Sequence, residues 1–251
     1  MHHTNHERLD AADPARALAG EGFVRLAPDE FLALAGISRA NAELWRASWD
    51  RLPPDAWLRD GGRYRRRRHA CFVLDTAAGR LEQAPHRAHW QPVDYNALHG
   101  GIERMFEPIE PALCADPAWR TLLASLGALF AGVSPAPRWF IEAHQFRIDT
   151  TDGVGRPTPE GAHRDGVDFV AVILVGRQHV RGGESRVFEA HGPHGLRFVL
   201  TEPWSAVLLD DVKVIHETTP IQPDGPAPHR DTLVLTFRRD GFLAPAAAAP
   251  A

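Results

Sequence analysis

The chain has almost no lysine and very little cysteine, and each shortage excludes a class of protein. Lys213 is the only lysine among 251 residues, so a Walker phosphate loop, a Schiff-base lysine and a kinase ion pair have almost nothing to build on. Cys71 and Cys114 are the only cysteines, too few for a disulfide framework or a cysteine zinc site. No uncharged apolar run approaches the ~18 residues that a membrane span needs, and the first residues lack the apolar core of a signal peptide. We therefore expect a cytoplasmic protein with no membrane partner.

Neither sign of charge is in large excess, because 28 lysine and arginine residues stand against 32 aspartate and glutamate residues, for a net charge of −4. This balance gives no broad cationic surface, so we expect no nucleic acid partner. The one basic run, Arg63 to Arg68, has no aromatic side chains between its arginines other than Tyr64 near its start. We interpret it as alternating arginines on an edge strand, where they discourage pairing with another sheet. One of them, Arg67, could point inward and assist substrate binding.

Helices dominate the first half of the chain and short strands the second. Apolar periodicity and capping residues predict helices over Pro14–Ala19 and Pro28–Ala35, from Ser38, over Tyr95–Ala112 and over Pro117–Phe130. From residue 137, short strands follow at a spacing of roughly 8–12 residues, which is typical of an antiparallel sandwich or barrel. We predict a mainly β fold with flanking helices, in one domain over residues 1–240. Its helix-rich part, with some strands, covers 1–136, its β core covers 137–240, and residues 241–251 form a disordered tail.

The second half contains a possible metal-binding pattern. His163 and Asp165 are two residues apart, so on an extended backbone both side chains point to the same face. His216 ends a predicted strand 53 residues downstream. Two histidines and one carboxylate on one face of an octahedron suit Fe(II) and leave three positions open. Alternatively, the His-x-Asp tripeptide is accidental and His216 is an ordinary strand-end histidine.

A possible carboxylate clamp follows this pattern. Arg230 and Thr232 enter the last apolar strand and share one of its faces, where together they could hold a carboxylate. Alternatively, this segment is an edge strand with an ion pair that involves Asp231.

The ordered set of motifs resembles the double-stranded β-helix, a cupin-like jelly roll, of the Fe(II)/2-oxoglutarate dioxygenases. More narrowly, it is similar to the bacterial free amino-acid hydroxylases that include L-isoleucine hydroxylases. The similarity covers roughly residues 60–240 and is carried by three stretches: Tyr64-Arg65-Arg66-Arg67-Arg68, Pro159-Glu160-Gly161-Ala162-His163-Arg164-Asp165-Gly166 and His216-Glu217-Thr218-Thr219-Pro220-Ile221.

The resemblance implies a cofactor set and a role for each motif residue. His163, Asp165 and His216 would be the iron ligands. Arg230 would pair with the distal carboxylate of 2-oxoglutarate, and Thr232 would hydrogen-bond to it. Fe(II), 2-oxoglutarate and O₂ would together hydroxylate a substrate, with release of succinate and CO₂. Desaturation or cyclisation occurs in the family as well.

The sequence also suggests residues for the remainder of the pocket. Strand alternation puts Gln145 and Arg147 on one face, where Gln145 could contact the cosubstrate and Arg147 a substrate carboxylate. A structural ion pair is an equal alternative for Arg147. Asp168 could receive a substrate ammonium, although alternation turns it away unless Gly166 introduces a bulge. The pair His86-x-x-His89 is interpreted as surface histidines.

Three functions are compatible with these residues. The first is hydroxylation of a small molecule, most simply a free aliphatic L-amino acid or a close derivative. The second is the same chemistry on a peptide or protein side chain. The third is a cupin-like metal protein without a cosubstrate, which would have no use for Arg230 and Thr232 as a carboxylate clamp.

Overall fold

The computed structural model describes residues 13–96 and 98–245. Its helices in this part of the chain are α1 (Pro14–Glu21), α2 (Pro28–Ala35), α3 (Arg39–Trp45), α4 (Pro111–Ala115) and α5 (Pro117–Val133), with a 3₁₀ turn (Arg46–Arg51) after α3. The helix starts follow from the sequence, because Asp13, Ser38 and Asp116 accept backbone N–H bonds at the first turns of α1, α3 and α5. Four of the five predicted helices are thereby confirmed. No helix in these residues combines the length and apolar character that a bilayer crossing needs.

The predicted helix over Tyr95–Ala112 is wrong. Turns and extended chain occupy the described residues of this segment before Pro111, where a helix begins. Gly100 and Gly101 interrupt the helical pattern, and Gly101 has a φ of 75°. The Gly100 N–H donates to the Asn96 carbonyl at 2.7 Å in a tight turn. Two glycines and Pro108 therefore outweigh the apolar periodicity.

Antiparallel strands form the remainder of the fold. They are β1 (Phe23–Leu26), β2 (Arg65–Asp75), β3 (Arg80–Gln83), β4 (Arg138–Asp149), β5 (Phe169–Gln178), β6 (Val180–Gly182), β7 (Glu184–Glu189), β8 (Gly195–Val199), β9 (Ala206–Asp210), β10 (Val214–Thr218), β11 (Ile221–Pro223) and β12 (His229–Arg238). The main sheet has the order β1-β9-β5-β12-β4-β2-β3, a second sheet has the order β10-β7-β8, and β11 pairs with β6. The mainly β fold with flanking helices is confirmed, and its core is a jelly roll. The main sheet contains strands from both sides of residue 137, the predicted start of the β core.

The main sheet has a separate apolar core on each face. The helices pack against one face, where Trp119, Trp139 and Phe237 are fully buried. The other face packs against the second sheet through a smaller cluster that includes Leu174 and Val187. Because both faces are buried, the residues in the middle of the central strands lie either under the helices or between the sheets. A cavity lies on the face that is turned towards the second sheet.

The basic run does not protect an edge, which corrects the interpretation from the sequence. β2 pairs with β4 over its full length, and residues 53–55 and 107–109 hydrogen-bond to its other side. Arg65 and Arg67 are therefore buried, with exposures of 6% and 4%.

The beginning of the predicted tail packs on the fold. Phe242 lies edge-on to Phe140, and the Leu243 carbonyl accepts a hydrogen bond from Arg87. The remainder of this segment, residues 246–251, lies outside the described residues.

Candidate active site

The structure brings His163, Asp165 and His216 together at one end of a cavity between the two sheets. His163 and Asp165 lie in the loop before β5, and His216 lies on β10. The Nε2 atoms of His163 and His216 are both 3.7 Å from a carboxylate oxygen of Asp165, one from each oxygen. The three ligand atoms can therefore face a single cation.

Neighbouring backbone groups fix the orientation of these side chains. The Nδ1 of His163 donates to the Gly161 carbonyl at 2.9 Å, which leaves Nε2 as the nitrogen that can coordinate a metal once it gives up its proton. The Asp211 carboxylate accepts backbone N–H bonds from Asp165 (3.0 Å), Gly166 (2.8 Å) and Val167 (3.1 Å). Asp211 therefore holds the whole loop that carries Asp165.

The three groups are strongly coupled to one another. Burial opposes the charged form of His163, but its contacts with Asp165 and Glu160 outweigh burial and raise the His163 pKa to about 9. Burial and the nearby His163 lower the pKa of His216 to about 4. Burial disfavours the Asp165 carboxylate, yet the two histidines lower its pKa to about 2. The Asp165 carboxylate thus stays ionised, as a cation site requires.

Three neighbouring strands supply the floor of the cavity. Their inward residues are Glu142, His144, Phe146 and Ile148 on β4, Arg65 and Arg67 on β2, and Arg230, Thr232, Val234 and Thr236 on β12. Phe146 lies between Arg67 on one side and Thr232 on the other. The cavity therefore combines apolar walls with a few buried charges, as small-molecule sites usually do.

Arg230 is buried and has free hydrogen-bond donors that could bind an anion. It is 3% exposed, and its Nε and one of its terminal nitrogens have no hydrogen-bond partner among the described residues. Thr232 lies on the same face of β12 and also lines the cavity. An unpaired buried guanidinium is costly, so these donors fit a ligand carboxylate that is absent from the chain itself.

A second group of residues, three of which line the same cavity, is also close enough to hold a metal ion. It consists of His69, His89, Glu142 and His144, all of them buried. The Nδ1 of His89 donates to Glu142 at 2.9 Å, and the Nε2 of His69 lies 3.4 Å from the other Glu142 oxygen. The expectation that His89 is a surface residue is wrong, because it packs into this group. Glu142 and His144 were missed because Gln145 and Arg147 were assigned to the inward face instead.

Three predicted pocket residues point away from the cavity. Gln145 lies under the helices, where its amide donates to the Ser48 hydroxyl at 2.8 Å. Arg147 makes two hydrogen bonds to Asp231, at 2.8 and 2.7 Å, and therefore has the structural role that was its alternative. Asp168 pairs with Arg239 at 2.6 Å. These positions correct the expected contacts of Gln145, Arg147 and Asp168, whereas Arg67 does line the cavity.

Comparison with protein families identifies the family of this chain. The family model described as 2OG-Fe dioxygenase matches residues 46–236. The chain belongs to this family. Its members use Fe(II), 2-oxoglutarate and O₂, so the protein is an oxygenase. Comparison with the curated proteins gave no match.

Similarity to solved structures extends over nearly the whole length of this chain. A bsmA homologue from Methylobium petroleophilum is 53% identical, with a TM-score of 0.90, over 98% of this chain and 100% of that chain. IDO from Bacillus thuringiensis is 17% identical, with a TM-score of 0.71, over 95% and 100%. The Fe(II)/α-ketoglutarate-dependent dioxygenase TqaL is 19% identical, with a TM-score of 0.68, over 90% and 85%. The last two similarities show the fold alone.

Proposed function

We propose that this dioxygenase hydroxylates a free aliphatic L-amino acid or a close derivative, with release of succinate and CO₂. His163, Asp165 and His216 hold the iron, and Arg230 with Thr232 holds the distal carboxylate of 2-oxoglutarate. The observation that carries the proposal is the position of Arg230 in the same cavity as the triad. Arg230 is buried there, and two of its nitrogens have no hydrogen-bond partner among the described residues. The cytoplasmic location of the protein stays a prediction from the sequence.

The triad is the better of the two groups for iron. In the second group the rings of His69 and His144 are stacked, with centroids 4.7 Å apart and planes within 17°. Their lone pairs therefore lie in two separate, nearly parallel planes, which is unfavourable for coordination of one ion by both rings. Arg67 also donates to Nδ1 of His144 at 2.8 Å, which puts the ring proton on Nε2. His163 shows the opposite arrangement, with Nδ1 donating and Nε2 left to coordinate a metal.

The chain's own residues position the reactants and exclude water. Iron, 2-oxoglutarate and O₂ supply the oxidative chemistry that inserts an oxygen atom into a substrate C–H bond. Arg230 fixes one end of the cosubstrate, while Phe146, Val172 and Val234 give the cavity apolar walls. These walls suit an aliphatic side chain better than a polar one.

The second candidate, a peptide or protein side chain, has less support. The C-terminal segment lies over the fold, and Leu243 lines the cavity, which leaves less room for a polypeptide to pass through. The metal-only alternative is disfavoured by membership of the dioxygenase family.

An anaerobic spectroscopic experiment tests the proposed site without a choice of substrate. Fe(II) and then 2-oxoglutarate are added, and the visible spectrum is recorded for an iron-to-ketoacid charge-transfer band. We expect the band in the wild-type protein and in His89→Ala, and its loss in His216→Ala, with folding checked by circular dichroism. Loss of the band in His89→Ala, and not in His216→Ala, would move the iron to the second group.

Succinate release then tests the substrate class. Free L-amino acids are compared with the same amino acids blocked as N-acetyl amides, which mimic a residue within a peptide. We expect release with one or more free aliphatic amino acids and a product about 16 Da heavier than its substrate, the mass of one inserted oxygen atom. Turnover of the blocked forms alone would favour the peptide alternative.

A further inference from the structure

A second buried arginine in the cavity lacks an acidic partner among the described residues. The Arg67 guanidinium carbon lies 3.6 Å from the ring centre of Phe106 and 4.4 Å from that of Phe146, so the group is sandwiched between two aromatic rings. One terminal nitrogen donates to His144, and the Nε has no partner in the same part of the chain. The aromatic rings thus fix the plane of the guanidinium and leave one of its donors free.

Arg104 is a third arginine of this kind. It is 2% exposed and lines the same cavity. A terminal nitrogen donates to the side-chain oxygen of Gln91 at 3.0 Å, while the Nε has no partner among the described residues. Burial and the nearby positive charge of Arg65 lower its pKa to about 10.

Two further arginines that are wholly or partly buried, Arg65 and Arg147, are paired with carboxylates, whereas Arg230 has no such partner among the described residues. Arg65, two residues before Arg67 on the same strand, donates to Asp55 at 2.7 Å, and Arg147 is paired with Asp231. Asp55 and Glu142 are the carboxylates that favour the charge of Arg67. Asp55 is already paired with Arg65, and Glu142 already faces His69 and His89. Two unpaired guanidinium groups are costly to bury unless an anion compensates them. The described part of the chain therefore leaves this pair open for an anion from outside.

We propose that Arg67 and Arg104 form a second anion subsite, which holds the carboxylate of the substrate. This inference rests on the proposed function, because Arg230 is there assigned to the cosubstrate. β4 separates Arg67 on β2 from Arg230 on β12, and Arg67 lies across from Thr232, two residues along from Arg230. The backbones of the two arginines are therefore more than two strand spacings, or about 10 Å, apart. The two anion sites are thus distinct.

Gln91 connects this subsite to the iron site. Its side-chain oxygen accepts from Arg104, and its amide nitrogen donates to Asp165 at 3.2 Å. Only one side chain therefore separates the Arg104 guanidinium from the metal-binding carboxylate. A substrate held by its carboxylate at Arg104 presents a carbon a few bonds away to the iron, which fits a small acid.

Ligand-dependent thermal stability tests the subsite. The protein is loaded with Co(II) and 2-oxoglutarate, and its melting temperature is recorded with each of the proteinogenic L-amino acids. Each acid that stabilises the protein is then compared with its own carboxamide. We expect at least one acid to raise the melting temperature and its carboxamide to have no effect, because the carboxamide lacks the charge.

Matched variants assign the effect to the two arginines. Arg67→Met and Arg104→Met remove the charge and keep the bulk, while Arg68→Met is the control, since Arg68 faces away and contacts the Pro108 carbonyl. We expect at least about tenfold weaker binding of the acid in the first two variants, as for loss of a buried charged hydrogen-bond partner, and unchanged binding in the control. Without ligand, both variants should melt close to the wild-type temperature, because removal of an unpaired buried charge offsets the lost hydrogen bond to His144 or Gln91.

Four results would overturn the subsite. In the ligand experiment, they are no stabilisation by any amino acid and equal binding of the carboxamides. In the variants, they are unchanged binding in both methionine variants and a large loss of ligand-free stability in both, since such a loss indicates a structural role. A roughly tenfold rise in the 2-oxoglutarate KM would instead assign the arginines to the cosubstrate and also overturn it. Failure of the proposed function is separate, because that is read from the charge-transfer band of the wild-type protein.

Discussion

His163 and His216 lie directly opposite each other on two antiparallel segments. The N–H of His163 donates to the His216 carbonyl at 3.0 Å, and the N–H of His216 donates to the His163 carbonyl at 2.9 Å. The imidazole centres are 4.8 Å apart as a result. Main-chain hydrogen bonds thus set the spacing of two side chains that are 53 residues apart in the sequence. The third member, Asp165, depends on the loop that follows His163.

Asp211 is the residue that holds this loop, and its substitution should weaken metal binding. In Asp211→Asn the amide has only one acceptor oxygen for three backbone N–H groups, and its NH₂ would face donors. We expect a roughly 10–100-fold loss of Co(II) affinity, as for other residues that orient metal ligands. Anaerobic calorimetry of the purified variant measures this loss.

Asp210→Asn is the matched control for this measurement. Asp210 is the neighbouring carboxylate, but it accepts one N–H from Val212 and lies near Lys213. Its substitution should leave Co(II) affinity within about twofold of wild type, because Asp210 orients no metal ligand. Equal losses in the two variants would contradict the role given to Asp211.

Gly166 should tolerate no side chain, for two separate reasons. Its φ is 77°, which disfavours residues with a Cβ, and a Cβ would lie 2.6 Å from the Tyr95 ring. Gly161→Ala is the control, because the φ of Gly161 is 83° but no described atom lies within 4 Å of the place that its Cβ would take.

We expect Gly161→Ala to cost about 1 kcal/mol of unfolding free energy from backbone strain, and Gly166→Ala to cost about 2–4 kcal/mol from strain and overlap together. Urea unfolding of the metal-free proteins gives both values. Adding Tyr95→Ala should recover only the part due to overlap. Equal costs in the two alanine variants would show that the Tyr95 contact does not matter.

The order of the motifs could be predicted from the sequence, but the orientation of β4 could not. Alternation divides this strand correctly into two sets, one with Glu142 and His144 and one with Gln145 and Arg147. Both faces of β4 are buried, and each carries polar residues, with Gln145 fully buried under the helices. Hydrophobicity therefore does not distinguish the cavity face from the helix face.

The second anion subsite could not be predicted for a related reason. Arg67 and Arg104 come from a strand and from a loop that the periodicity predicts to be helical, so no local pattern joins them. Their common feature is the lack of a carboxylate partner among the described residues, which is a property of the folded chain. By contrast, Arg230 and Thr232 could be predicted as a pair because they are two residues apart on one strand.

Buried histidines should make the protein less stable as the pH falls below neutrality. Burial lowers the pKa of His69 and of His99 to about 4, and lowers that of His144 well below its ordinary value. In the unfolded chain these groups titrate near about pH 6.5. Between about pH 6.5 and pH 4 the unfolded state therefore binds protons that the folded state does not, so the free energy of unfolding decreases. Above about pH 7.5 these groups contribute no slope.

The opposing contribution is smaller. Burial and the neighbouring Asp165 raise the pKa of Asp211 to about 7, so this carboxyl takes up a proton in the folded state first and stabilises it at lower pH. The pKa of His163 is raised to about 9, but below about pH 6.5 this group is protonated in both states and adds no slope. Burial and His163 also lower the pKa of His216 to about 4. One opposing group therefore stands against four histidines, and the net slope keeps the histidine sign. Urea midpoints measured at intervals from about pH 7.5 to about pH 5 should fall steadily below about pH 6.5.

Replacing one histidine isolates its share of the slope. In His99→Gln the side chain can still accept the Arg59 N–H that now bonds to the His99 ring, but it does not titrate. Its stability should fall less steeply between about pH 6.5 and about pH 5, by at most about 1.4 kcal/mol per pH unit. His191→Gln, at an exposed position, should keep the wild-type slope. A His99→Gln profile parallel to wild type would mean that His99 is protonated equally in both states, contrary to the effect expected from its burial.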